Sequence, residues 1–180
     1  MIKSKRGQVW VETAIYTLIG LTVIAIVLSA AIPQIEKIKD REIIKQTIDA
    51  LNVLNGKISE SETTVGNVRI LDFKIAKGRI EINSKGDFIK YTLEDSILEL
   101  SQAGQEIKEG DITLKTENYG EHYNIYLTMD YADSKLDITY KGKEENKILQ
   151  AGTTPYKIQI ENRGYDPETQ KTNINIDVIS

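Results

Sequence analysis

The sequence predicts an α+β chain: a long N-terminal helix, apolar and then amphipathic, followed by an antiparallel β-sandwich. Three observations carry this. No charged residue occurs from Ile15 to Ile32. Apolar residues then recur at three- and four-residue steps as far as Leu54. From Val68 onward the period changes to two, with turn signals between short apolar-polar alternations.

A chain of 180 residues makes one domain, or one domain with an appendage. The net charge of −4 argues against a nucleic-acid partner, whose binding surface would be basic. There is no cysteine, which excludes disulfides and thiolate metal sites. The β domain must therefore be held by its apolar core alone. The roughly 125 residues after the helix suffice for one.

Residues 1–7 hold Lys3, Lys5 and Arg6 and no acid. By the positive-inside rule this flank stays in the cytoplasm and the C-terminus faces out, giving a single-pass protein of the cell membrane. The run from Val9 to Ile32 covers roughly 35 Å as a helix, enough to cross a bilayer core. Ser29-Ala30-Ala31 imitates a signal-peptidase site, but the run is longer than a signal-peptide h-region and helical patterning continues past it. Pro33 removes one helical hydrogen bond and predicts a kink rather than a stop. Beyond it, Ile35, Ile38, Ile44, Ile48, Leu51 and Leu54 form an apolar stripe. Glu36/Lys39, Lys37/Asp40 and Glu42/Lys45 are opposite charges one turn apart. Asn55-Gly56 reads as the C-terminal cap. The expected helix is thus 8–55, with 56–65 as a polar linker and 66–180 as the β domain. Such a helix is not stable alone in water and needs lipid, a partner bundle or both.

In the β domain, Val68, Ile70, Phe73 and Ile75 begin a strand whose phase changes near Leu71-Asp72, which predicts a bulge. Lys77-Gly78 and Ser84-Lys85-Gly86 are turn signals around residues 79–83. Further strands are expected at 88–94, 96–100, 112–117, 123–130, 136–140, 156–160 and 174–178. Eight or nine short strands favour a sandwich over a βαβ fold, and half-buried alternation favours antiparallel pairing.

Little in the chain points to catalysis, and an enzyme is not expected. His122 is the only histidine, so a His-based metal site or triad has no support; it reads as a surface strand residue. Asp130-Tyr131-Ala132-Asp133 with Asp137, and Gly164 to Thr169, offer oxygen ligands for calcium but lack the spaced pattern of an EF-hand, so turns with solvated carboxylates are the preferred reading. No phosphate-cradling loop and no Asn-x-Ser/Thr sequon occurs. No cofactor is expected. The tyrosines cluster after residue 90 and are expected to be mostly structural.

Glu12 stands out. A charged carboxylate deep in a membrane helix costs about 2.5–3.5 kcal/mol on insertion scales. An interfacial position, the helix N-terminal dipole, protonation or a positive partner each relieves that cost. If the chain were cut after Gly7, Gln8 would carry a new α-amino group able to meet Glu12 of a neighbouring chain, an ionic register for assembly.

Lys5-Arg6-Gly7-Gln8, with Glu12 five residues after the proposed cut and an apolar helix beyond, resembles the class III signal peptide of archaeal type IV pilins. The resemblance covers about the first 30 residues and the long helix in general form. It implies that a prepilin peptidase cuts between Gly7 and Gln8, with Lys5 and Arg6 as the basic flank. It also implies that Glu12 is the assembly carboxylate and that the helix becomes the filament core. Gly20, Ala25, Ser29, Ala30 and Ala31 would allow close helix packing. The implied partners are membrane lipid before assembly, like or different pilins in a filament, a pilus assembly platform and its ATPase. The β domain would be Ig-like or pilin-like and coat a cell-surface filament used in adhesion. Val9-Trp10-Val11 departs from the glycine-rich start of archaellins, which places an archaellum-like filament second. An uncut, membrane-anchored β-sandwich binding module for a receptor or solute-capture role is the other alternative.

Overall fold

The structure is a computed structural model that describes residues 5–179, with side chains from Val9 onward. Helix α1 spans Lys5–Glu62 and is followed by ten strands: β1 (Val68–Phe73), β2 (Arg79–Asn83), β3 (Phe88–Ser96), β4 (Glu106–Glu109), β5 (Ile112–Tyr119), β6 (His122–Asp130), β7 (Leu136–Tyr140), β8 (Lys147–Gln150), β9 (Tyr156–Asp166) and β10 (Lys171–Val178). The chain is therefore α+β. It divides into two compact units, Met1–Lys39 and Asp40–Ser180.

In the first unit the described chain is helical, and no side chain from Val9 to Lys39 is buried. Pro33 lies within the helix without ending it. Proline costs one hydrogen bond there, and the helix continues past it to Glu62.

The second unit begins with the remainder of α1. Ile44, Leu51, Leu54 and Ile58 are buried, at steps of seven, three and four residues, so they form one stripe. They join a single apolar core with residues of both sheets, among them Ile80, Tyr91, Leu127, Ile138, Ile160 and Ile176. One sheet has the order β1-β9-β10-β7 and the other β4-β5-β6-β3-β2-β8. Every strand pairing is antiparallel except that of β10 with β7.

Several sequence expectations are corrected. Helix α1 runs seven residues beyond Asn55, through most of the expected linker. Ile58 and Ser61 are both fully buried, and their burial outweighs the capping preference of Gly56. The helix ends instead where Asn162 of β9 donates from Nδ2 to the Ser61 and Glu62 carbonyls, at 2.9 and 3.0 Å. That satisfies two of the orphan carbonyls of the last turn. Ile35 and Ile38 are exposed, so the buried stripe starts only after them. The charge pairs expected at Glu36/Lys39, Lys37/Asp40 and Glu42/Lys45 are not among the ion pairs of the described residues. Asp40 binds Lys77 instead, and Glu42 accepts from Gln46 at 2.9 Å.

Strand β1 carries no bulge, because its register with β9 is continuous from Val68 opposite Glu161 to Phe73 opposite Tyr156. Arg69, Leu71 and Phe73 face inward, leaving Val68 and Ile70 exposed. Irregularities lie instead in β3, between Leu93 and Ser96, where Asp95 takes a positive φ of 58°, and in the β9–β10 pairing, between Asn173 and Ile174. Residues 97–100, expected as a strand, are not one. Strands β4 and β8 were not expected.

Candidate functional site

The apolar part of α1 is the candidate site. Between Val9 and Ile38 every large apolar side chain is at least about half exposed, from Ile35 at 49% to Trp10 at 82%. Monomeric soluble proteins rarely show a contiguous apolar patch of more than a few hundred Å². This helix is long and apolar enough to cross a membrane.

Its polar groups are arranged for an apolar medium. Thr13 Oγ1 donates to the Val9 carbonyl at 2.9 Å, Thr17 to Thr13 at 2.9 Å and Thr22 to Leu18 at 2.8 Å. Ser29 donates to the Ile26 carbonyl at 2.8 Å. Each hydroxyl thus finds a partner on its own helix, which removes the cost of leaving it unpaired outside water. Glu12 is exposed, and its Oε1 accepts a long 3.5 Å hydrogen bond from the Tyr16 hydroxyl one turn later. The i,i+4 spacing of Glu12 and Tyr16 that allows this contact is present in the sequence itself.

Lys5, Arg6, Gly7 and Gln8 are helical in their backbone, and their side chains lie outside the described residues. The small residues do not share one face. At about 100° per residue, Gly20 and Ala31 fall within about 20° of each other and Ala25 and Ser29 within about 40° on a nearly opposite side. Ala30 stands apart from both pairs. A Cβ added at Gly20 would meet nothing within 4 Å. The five small residues thus make two small patches and one separate position on the helix.

Two polar side chains of the second half of α1, Asp40 and Asn55, bond to the β domain, and Tyr91 lies buried near Asp40. Asp40 is 4% exposed; its Oδ2 accepts from Ser96 Oγ at 2.6 Å and its Oδ1 from Lys77 Nζ at 2.7 Å. Asn55 accepts from the Tyr131 hydroxyl at 2.8 Å and donates to Asp111 at 2.7 Å, which gives it a tertiary role in place of a capping one. Tyr91 is fully buried and donates its hydroxyl to the Lys77 carbonyl at 2.7 Å. Burial pushes the Tyr91 phenol up to about 12, with nearby Asp40 adding to the shift. Burial raises that of Tyr131 as well, followed by the charge of Asp111.

The other residues singled out in the sequence serve turns and strand ends. Asp130 Oδ1 accepts from the Ala132 amide at 2.9 Å, and Asp166 Oδ1 from the Glu168 amide at 2.9 Å. These are side chains closing their own turns. His122 begins β6 and meets Asp95 through Nδ1. Among the described residues no group of three or more His, Cys, Asp or Glu is placed to hold a metal ion. Comparison with protein-family models, with curated proteins and with solved structures gave no match.

Proposed function

We propose that this chain is a structural subunit of an archaeal type IV pilus-like surface filament, a pilin without enzymatic activity. The observation that carries the reading is one helix with two environments. Its first half exposes apolar side chains all round, directly after the Lys5-Arg6-Gly7-Gln8 motif, and its second half is built into the β domain's core. A simple anchor would need only the first property. A helix that supplies both an exposed apolar segment and part of the domain core supports a filament subunit over a simple anchor.

On this reading the basic flank holds the N-terminus in the cytoplasm and the β domain faces out. A prepilin peptidase cuts between Gly7 and Gln8. Gly7 weakens the helix locally by about 1 kcal/mol relative to Ala, which eases the unwinding a protease needs. The helix first lies in lipid and then leaves it to pack against the helices of other subunits. There Glu12 exchanges its weak Tyr16 contact for the α-amino group of a neighbouring Gln8. The two sheets face each other as a sandwich that coats the filament.

Mass spectrometry of protein sheared from cells tests the reading. A chain starting at Gln8 in a high-mass filament is the expected result. An intact Met1 chain released only by detergent would overturn it in favour of the membrane-anchored binding module.

A further inference from the structure

The outward face of the six-stranded sheet carries a second feature. Cross-strand register places Lys90, Thr128, Thr113 and Lys108 in one row. The next row holds Thr92, Tyr126, Lys115 and Glu106. Two short threonines thus lie side by side among long side chains, and the result is an open groove of about 470 Å³. That volume falls in the ordinary range for small-molecule sites, about 300–1,000 Å³.

The chemistry of the lining selects a ligand class. Its charged residues are two lysines, Lys90 and Lys115, against Glu106, Glu117 and Asp130. Lys115 is already paired with Glu117 at 2.8 Å, and Lys90 lies 3.7 Å from Glu81. A phosphate or sulfate polymer would therefore meet acids that outnumber the cations and cations that are already matched. An apolar protein segment would desolvate charges without replacing their partners. A neutral ligand rich in hydroxyls fits both constraints. Each of its hydroxyls donates and accepts, and hydrogen bonds to charged groups are the stronger kind. The Tyr126 ring adds an apolar surface against which the C–H face of a sugar ring can pack.

We propose that this groove, floored by Thr113 and Thr128 and flanked by Tyr126, Lys90, Lys115 and Glu117, binds a neutral carbohydrate chain. The groove is complete within one chain, so this proposal stands apart from the filament reading.

The test uses the full-length chain in a detergent without a sugar headgroup, since maltoside or glucoside detergents would compete. Cello-, manno- and chito-oligosaccharides and, separately, heparin are titrated by calorimetry. Saturable binding of at least one neutral oligosaccharide is expected. Tyr126→Ala and Thr128→Arg, which removes the ring and fills the floor respectively, should each weaken it at least tenfold with an unchanged unfolding midpoint. Lys157→Ala, on the other sheet, should leave it unchanged. If Thr128→Arg does not fold, Tyr126→Ala and Glu117→Gln carry the comparison. Absence of binding by all three neutral oligosaccharides, equal binding by the groove variants, or tighter binding of heparin overturns the proposal. A chain that begins at Gln8 in filaments and binds no sugar would overturn this inference and leave the filament reading intact.

Discussion

The two halves of α1 share a backbone conformation and almost nothing else. From Val9 to Lys39 no side chain is buried, whereas from Asp40 onward the helix contributes Ile44, Leu51, Leu54 and Ile58 to a core shared with two sheets. The second half owes its helicity to tertiary packing, the usual source of helix stability in water. The first half satisfies its backbone and hydroxyls internally and leaves its hydrocarbon surface for whatever medium surrounds it. A residue's contribution is therefore set by its half, and the same substitution should have different consequences on either side of Lys39.

The largest contrast concerns processing. On the proposed filament reading, Gly7→Phe should abolish the cut after Gly7, so that no protein beginning at Gln8 is recovered, while the β domain stays folded by circular dichroism. Next, Glu12→Ala should leave processing intact and lower filament yield several-fold by electron microscopy. Normal filaments from that variant would refute the register role of Glu12. A matched pair then probes stability directly. Leu51→Ala should cost about 2–5 kcal/mol, as for a buried leucine, while Leu18→Ala should stay within about 0.5 kcal/mol, both read from urea unfolding in detergent. Equal costs would remove the distinction between the halves.

Asp40→Ala should cost about 1–3 kcal/mol, because the buried Ser96 hydroxyl keeps the Leu98 amide as donor but loses the acceptor of its own proton, while Lys77, 42% exposed, turns to water. A pH dependence within the second unit offers a further test. The Tyr91 phenol is raised from 10.0 to about 12 by folding, so the unfolded chain loses that proton first. Its contribution is complete below pH 10 and disappears as the pH rises from there to about 12. Tyr91→Phe should flatten that part of the stability curve. An unchanged alkaline slope would mean that another group controls it.

The helix was legible because one apolar run and one apolar stripe fix it without reference to the rest of the chain. Its end was not, because the cap signal at Gly56 is local and the burial of Ile58 is tertiary. Strands β2, β5, β6 and β7 alternate cleanly and were placed close to where they lie. Strands β4 and β8 have four residues each and sit at opposite edges of their sheet, so their sequences carry too little alternation to show. At β1 the apolar Val68 and Ile70 pulled the inferred phase onto the wrong face, since the pattern cannot say which apolar residue a sheet edge leaves in water. The parallel pairing of β10 with β7 depends on strand order, which periodicity does not encode. At the candidate site, the basic flank, Gly7-Gln8 and Glu12 stood out by order alone, whereas the division of the small residues into two patches emerged only when they were placed on the helix.

In the four-stranded sheet β1 has β9 as its partner, with Val68 opposite Glu161, and the interior of that sheet is β9 with β10. The strand made first must therefore wait for strands made much later. Contacts so distant in sequence are slow to form, since a long loop must close before they contribute. The four-stranded sheet therefore cannot close until β9 and β10 have been made, whereas hairpins such as β2–β3, β4–β5 and β5–β6 of the other sheet pair with near neighbours in the chain.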